Sequence, residues 1–143
     1  MISPSAVMPQ PRLSPDGHWL AYVSDQSGTR EVYIEAFPGP GARVQVSSSG
    51  GTEPVWHPNG RELFYRTTTM LMSASLAMAP ELSVVRWDSL FVIELPEPTQ
   101  VSNYDVMPDG NHFITFRPRS EGSPPMAVIN WNTELRERMA AVR

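Results

Sequence analysis

A turn sequence that recurs three times along the chain constrains its fold more than any other feature. Its three copies are Ser14-Pro15-Asp16-Gly17, His57-Pro58-Asn59-Gly60 and Met107-Pro108-Asp109-Gly110, spaced 43 and then 50 residues apart. Proline sets φ for the first central position, Asp or Asn accepts the second while hydrogen-bonding nearby backbone, and Gly adopts the left-handed conformation that a bulged hairpin requires. Each copy therefore predicts a tight turn between two strands, with a structural role for its Pro, its Asp or Asn, and its Gly.

The residues around the three turns also match. Leu13, Trp56 and Val106 each stand four residues before the turn glycine, and a strand apolar on both faces follows it, as in residues 20–23. Strict alternation of apolar and polar residues would indicate one solvent-exposed face, whereas a continuous apolar run indicates a strand that is buried on both faces. A small sheet that lies between two similar sheets has this requirement.

Further strands complete each unit. They are expected at 31–37 and 43–47 in the first unit, at 70–76 and within 82–92 in the second, and at 126–130 in the third, whose fourth strand is missing. Four antiparallel strands in about 40–45 residues are typical of a β-propeller blade. We therefore predict an all-β fold, a propeller segment of about three four-stranded antiparallel blades at about residues 11–50, 51–98 and 99–131.

The two ends of the chain depart from the repeat. Residues 1–10 are interpreted as an N-terminal arm. Residues 132–143 place Leu135, Met139 and Val142 on one stripe, and Asn132 can cap the first turn. This spacing predicts a short C-terminal helix, which can cover the edge of the last blade.

Composition excludes several function classes. The 143 residues include no lysine and no cysteine, and all eleven basic residues are arginine. A Walker-type phosphate loop, a protein-kinase site and a Schiff-base enzyme each need lysine, and thiolate chemistry needs cysteine. The net charge of −4 argues against a nucleic-acid partner. The longest uncharged stretch, 67–80, is shorter than the roughly 20 residues of a bilayer span, and no signal peptide is visible, so the compartment stays open between cytoplasm and periplasm.

No catalytic or metal-binding pattern emerges from the remaining residues. The run 47–51 lacks the first glycine of a Gly-x-Ser-x-Gly elbow and precedes a strand, so we interpret it as a loop between blades. His18, His57 and His112 belong to equivalent turns of different blades, which a ring holds apart. We therefore expect no metal, no cofactor and no enzymatic activity in this chain alone.

Four polar residues are the candidate binding residues. Arg12, Glu53, Tyr104 and Asp105 flank the predicted innermost strands, whose ends line the central channel of a propeller. The partner expected there is a protein or a small ligand. The alternative is that these side chains only solvate the channel.

The repeat resembles that of the TolB-type, WD40-like β-propellers (PD40 repeats). The sequences PRLSPDGHWLAYVS at 11–24 and TEPVWHPNGRELFY at 52–65 carry the resemblance, and 103–116 is a looser copy. The sequence EVYIEAFPG at 31–39 resembles the third strand of such blades, in particular in propellers that follow bacterial serine/threonine kinase domains. His57 and Met107 depart from the pattern, because serine precedes the proline in the first copy. The resemblance implies binding and scaffolding by the propeller, with catalysis elsewhere; similar propellers also precede the hydrolase domain of S9-type, prolyl-oligopeptidase-like peptidases, where they gate access.

Three blades are fewer than the four to eight of a closed propeller. Either the chain is the C-terminal part of a larger propeller, or two copies form a homodimer that closes a six-bladed ring. A self-assembling arc of this kind would use its unpaired end blades as the interface.

Overall fold

Every element of secondary structure in the described part of the chain is a β-strand. The computed structural model describes residues 10–93, 102–116 and 126–130, with the backbone alone for 116 and 126–130. These ranges contain eleven strands and no helix, and hence no helix able to cross a membrane. The all-β prediction is confirmed. The predicted C-terminal helix at 132–143 and all but the last residue of the predicted arm lie outside the described residues.

The strands form three antiparallel sheets in chain order. The first sheet contains β1 (Arg12–Leu13), β2 (Trp19–Ser24), β3 (Glu31–Ala36) and β4 (Arg43–Gln45). The second contains β5 (Thr52–Trp56), β6 (Glu62–Arg66), β7 (Met70–Ala77) and β8 (Ser83–Val92). The third contains β9 (Tyr104–Val106), β10 (His112–Phe116) and β11 (Met126–Asn130). Each sheet is a meander in which every strand pairs with the next along the chain.

The repeated turns join the first and second strands of each sheet. Their glycines, Gly17, Gly60 and Gly110, have φ of +77°, +72° and +72°. The side-chain oxygen of each turn Asp or Asn accepts the backbone N–H two residues later, at 3.0, 2.8 and 2.9 Å in chain order. This is the Asx turn, in which the side chain of the turn residue accepts a backbone N–H group of the same turn.

Consecutive turns contact one another across the sheets. A methyl group placed on Gly60 would meet Pro15 at 3.8 Å, and one placed on Gly110 would overlap the imidazole of His57. The turns of the three units therefore lie side by side at one end of the assembly.

The core consists of two layers of side chains between the three sheets. Strand β6 contributes to both, because successive residues of a strand point to opposite faces. Its Leu63 and Tyr65 pack with Ala21, Val23 and other residues of the first sheet. Its Phe64 packs edge-on against Phe113 of the third sheet, with ring centroids 4.8 Å apart. Burial on both faces explains the continuous apolar run of this strand.

Tryptophan indoles attach the second sheet to the backbone of the first. Trp56 Nε1 donates to the carbonyl oxygen of Arg12 at 2.9 Å, and Trp87 Nε1 donates to that of Val46 at 2.8 Å. One bond lies at the innermost strand and the other at the outermost. They hold the two sheets in one relative orientation along their width.

Candidate functional site

Three of the four candidate residues meet in one cleft. Arg12 on β1 and Tyr104 and Asp105 on β9 line a cleft of about 260 Å³, together with Ser102 and Ile114. Strands β1 and β9 are the first strands of the first and third sheets, and β5 lies between them. The cleft therefore combines side chains from the innermost strands of two non-adjacent sheets.

The cleft presents opposite charges to solvent. The side chains of Arg12 and Asp105 are both exposed. The carbonyl of Arg12 is held by Trp56, and one carboxylate oxygen of Asp105 accepts the N–H of Val106 at 2.8 Å. The backbone of Asp105 is fixed by its pairing with Ile114. The guanidinium of Arg12 and the second carboxylate oxygen of Asp105 remain available for a ligand.

Tyr104 forms the buried wall of the cleft. Its hydroxyl donates to the carbonyl oxygen of Glu53 at 2.6 Å, and its side chain is 3 % exposed. Burial raises the pKa of Tyr104 well above 10.0, and the nearby carboxylates of Glu53 and Asp105 raise it further. The phenol therefore stays protonated and positions β9 against β5; it is not available as a base.

Glu53 does not line the cleft and lies fully buried behind it. Its carboxylate forms an ion pair with Arg66, Nη1 to Oε2 at 2.9 Å, with side chains 0 % and 2 % exposed. The pairing of β5 with β6 shifts register between Thr52 and Val55, and Glu53 has a φ of +53°. Such a bulge re-aims a side chain, and here it directs the carboxylate toward Arg66.

A repeated hydrogen bond links the three sheets at this position. Gln10, Glu53 and Asn103 each stand seven residues before a turn glycine. Oε1 of Gln10 accepts the N–H of Glu53 at 3.0 Å, and Oε1 of Glu53 accepts the N–H of Asn103 at 2.5 Å. We call this series the inner ladder. Only Glu53 was among the predicted site residues, although a side-chain oxygen at the same offset in all three units is the signal that identifies the ladder.

The loop between the first two sheets is held by a second buried carboxylate. Glu31 accepts the hydroxyl of Ser47 through Oε2 and the N–H of Gly50 through Oε1, the latter at 3.0 Å. The same hydroxyl accepts the N–H of Val32 at 2.8 Å. Because both bonds lie within the fold, the Ser47 hydroxyl has a structural role.

The histidines belong to the turns. Nδ1 of His57 accepts the N–H of Asn59 at 3.0 Å, and Nδ1 of His112 lies 2.6 Å from the carboxylate of Asp109. Among the residues that the structure describes, no group of three or more His, Asp or Glu is placed to hold a metal ion.

Comparison with known proteins gives the fold. No family model and no curated protein matches the chain. Among solved structures, TolB from Acinetobacter baumannii has a TM-score of 0.60 at 16 % identity over 87 % of this chain. Oligogalacturonate lyase from Vibrio parahaemolyticus has a TM-score of 0.57 at 14 % identity over 80 % of this chain. An oligogalacturonate lyase in complex with manganese has a TM-score of 0.59 at 16 % identity over 88 % of this chain.

This chain spans about a third of each of those structures, which it covers to 30 %, 31 % and 34 %. Identities this low carry information on fold alone, and one fold hosts many functions. The three sheets are consecutive blades, and the chain has the fold of a segment of a TolB-like β-propeller.

Proposed function

We propose that the chain is a non-catalytic recognition module that binds a protein segment or a small ligand at the channel. The observation that carries the proposal is the cleft where Arg12 of the first blade meets Tyr104 and Asp105 of the third. Loops and strand ends on a rigid scaffold are the usual place for binding residues. The two tryptophan bonds and the inner ladder supply that rigidity.

The chemistry of the cleft favours a ligand that carries both charges. Arg12 offers donors to a carboxylate, Asp105 accepts from an ammonium or guanidinium, and Ile114 adds an apolar surface. A peptide segment with one acidic and one basic side chain satisfies all three. Catalysis is not favoured by these groups, because the hydroxyl of Tyr104 is occupied by Glu53.

A phage-displayed library of random peptides tests this proposal. Calorimetry on selected peptides would compare the native chain with Arg12→Gln and Asp105→Asn, and with the control variants Arg61→Gln and Asp25→Asn, whose side chains are exposed away from the cleft. We expect each cleft substitution to weaken binding about tenfold or more, as loss of a charged hydrogen bond does, and the controls to leave it unchanged. Failure to select any peptide, or equal binding by all variants, would contradict recognition at the cleft. Turnover of ATP, a peptide or an ester by the chain alone would contradict its non-catalytic character.

We also propose that further blades complete the ring, supplied by a longer polypeptide or by a second copy of the chain. Trp56 and Val106 pack against the blade that precedes theirs, whereas the equivalent Leu13 is 49 % exposed. At the other end, Oδ1 of Asn103 accepts no hydrogen bond from the described residues, although the equivalent oxygens of Gln10 and Glu53 each cap the next blade. Among the described residues, one end thus has no blade before it and the other none after it.

The host domain stays a proposal drawn from the resemblance. A kinase domain encoded upstream would indicate a sensor domain of a bacterial serine/threonine kinase. A hydrolase domain encoded downstream would indicate the gating propeller of an S9-type peptidase. The sequence of the full-length host protein distinguishes the two.

A further inference from the structure

The second of the three repeated turns differs from the others at its third residue. Asn59-Gly60 is the one Asn-Gly pair in the chain, and aspartate stands at the equivalent positions 16 and 109. An Asn-Gly pair is susceptible to deamidation, because glycine has no side chain to hinder attack of its backbone nitrogen on the preceding amide. Asn59 is exposed, so water reaches the turn. The pair is therefore a candidate site of chemical modification.

Deamidation of this pair follows a defined chemistry in which water is the only other reactant. The backbone nitrogen of Gly60 loses its proton to water and attacks Cγ of Asn59, and the side-chain nitrogen of Asn59 leaves as ammonia. The product is a five-membered succinimide ring. Water then opens the ring. Cleavage between Cγ and the Gly60 nitrogen gives aspartate, whereas cleavage between the backbone carbonyl carbon and that nitrogen gives isoaspartate.

The hydrogen bonds of the folded turn oppose this reaction. The N–H of Gly60 donates to the carbonyl oxygen of His57 at 2.9 Å, and Oδ1 of Asn59 accepts the N–H of Arg61 at 2.8 Å. Attack requires the Gly60 nitrogen to lose its proton and the Asn59 amide to rotate toward it. Both bonds must break before the ring closes, so the reaction requires local opening of the turn.

The third turn holds the second turn closed through His57. Nδ1 of His57 accepts the N–H of Asn59 at 3.0 Å, and the imidazole packs near Phe64 with ring centroids 5.9 Å apart. The imidazole also lies against Gly110, where an added methyl group would overlap it. Gly110 is buried, so the imidazole has a close-packed neighbour on the third blade. Opening of the second turn therefore disturbs the contact between two blades.

The two products of deamidation differ in how they fit the turn. Oδ1 of Asp16 and Oδ1 of Asp109 each accept the N–H two residues later, as Oδ1 of Asn59 does. Aspartate at position 59 is therefore compatible with the turn. Isoaspartate lengthens the main chain by one carbon atom between residue 59 and Gly60, so the hydrogen bond from Gly60 to His57 loses its spacing.

We propose that Asn59 is a modification site, at which the packing of the third turn against His57 controls deamidation. The reaction is slow while the imidazole is held against Gly110 and proceeds when that contact loosens. Each isoaspartate formed then weakens the contact between the second and third blades. The site shares no residue with the cleft of Arg12 and Asp105, so this modification is separate from ligand binding there.

Peptide mapping by mass spectrometry during incubation at mildly alkaline pH tests the proposal, because it locates the exchange of NH₂ for OH and separates aspartate from isoaspartate. We expect conversion of Asn59 to be about tenfold or more slower in the folded chain than in the chain unfolded in urea. Gly110→Ala displaces His57 and should accelerate conversion several-fold. Gly17→Ala is the matched control, since Gly17 also has a left-handed φ but an added methyl group meets no atom within 4 Å. It should leave the rate unchanged.

Further variants separate control by the third turn from general unfolding, with each rate measured where circular dichroism shows a folded chain. His57→Ala should itself accelerate conversion, and Gly110→Ala should add nothing in that background. Asn59→Asp should unfold at the same urea concentration as the native chain. Equal rates in folded and unfolded chains, equal rates in Gly110→Ala and Gly17→Ala, or an unchanged rate in His57→Ala would each overturn the proposal. Loss of stability in Asn59→Asp would overturn the distinction between the two products.

Discussion

Oε1 of Glu53 accepts both the backbone N–H and the side-chain N–H of Asn103, at 2.5 and 2.9 Å, although the two residues stand fifty positions apart. Oε2 of the same carboxylate binds Arg66. A single buried side chain therefore joins the second strand of one blade to the first residues of the next. Burying a charge is unfavourable unless its partners are present, so the packing of the two blades depends on this carboxylate keeping both Arg66 and Asn103 as partners.

Glu53→Gln should lower the free energy of unfolding by roughly 3–5 kcal/mol, the usual cost of leaving a buried charge without its partner. The amide keeps the size of the side chain and one acceptor oxygen. The loss of stability therefore reports on the charge of Arg66 that is left without a partner. Urea denaturation measures it. Asp88→Asn in the exposed pair of Arg86 and Asp88 is the control, and should change stability by less than about 1 kcal/mol.

A double substitution, Glu53→Gln with Arg66→Met, should recover part of that loss, because it removes the unpaired guanidinium. Equal stability of Glu53→Gln and the native chain would contradict the role assigned to the ion pair.

Gly110→Ala should destabilise the chain more than Gly17→Ala. Both glycines have a left-handed φ, which costs a substituted alanine about 1–2 kcal/mol. A methyl group on Gly17 meets no atom within 4 Å, whereas one on Gly110 overlaps the ring of His57. In a His57→Ala background the cost of Gly110→Ala should fall to that of Gly17→Ala. Thermal unfolding of the variants measures this, and an identical cost in both backgrounds would exclude a contact between the turns.

Stability should fall at alkaline pH, and tyrosine should be the cause. Burial, then the hydrogen bond to Glu35, raises the pKa of Tyr22 from 10.0 to about 12, and burial also raises the pKa of Tyr65 and Tyr104. Because the folded pKa lies above the unfolded value, this stabilisation is complete below pH 10 and is lost as the pH rises toward 12. The chain has no lysine to titrate in this range.

Urea unfolding at increasing alkaline pH, with tyrosinate absorbance recorded in parallel, tests this expectation. Tyr22→Phe should reduce the slope of stability against pH. Tyrosinate formation without loss of stability would show that the phenols titrate as exposed groups.

The first turn should weaken in acid. The hydroxyl of Ser14 donates to Asp16 at 2.6 Å, and this bond, followed by that from the N–H of His18, lowers the pKa of Asp16 below 3.8. Stability from these bonds is present above 3.8 and is lost as the pH falls through the lower folded pKa. Ser14→Ala should raise the pKa of Asp16 toward 3.8, as followed by carboxyl-carbon NMR; an unchanged titration would show that the hydroxyl does not hold the carboxylate.

The hairpins and the layering of the sheets could be predicted from the sequence because their causes are local. Pro, Asp or Asn, and Gly at fixed positions specify a turn, and a strand such as β6 that is apolar on both faces specifies a sheet on either side. The all-β prediction is confirmed on this basis. The turn spacing assigns Arg12, Tyr104 and Asp105 to the first strands of repeated units. That assignment was sufficient to predict that they lie near one another.

The remaining features depend on contacts between distant segments. Nothing local distinguishes a channel-facing Glu53 from a buried one, since the bulge that turns it toward Arg66 arises from the pairing of β5 with β6. Likewise, Arg30 and Thr52 line one cleft although they belong to different blades. Periodicity along one strand carries no information on contacts between blades. Aligning the three units does show Gln10, Glu53 and Asn103 at the same position, seven residues before each turn glycine.

The proposal of ring closure treats the described blades as an open arc, with one end that fits a preceding blade and the other a following one. In a solution of the isolated chain, the available blades are those of other copies, so Leu13 and Asn103 of different copies should meet. Light scattering over a concentration series tests this most directly. We predict that the mass rises from 15.9 kDa toward twice that value, and that Leu13→Arg or Asn103→Ala holds it at 15.9 kDa. A constant 15.9 kDa for the native chain at every concentration, or a dimer unaffected by both substitutions, would contradict closure of the ring by a second copy and leave a longer polypeptide as the source of the further blades.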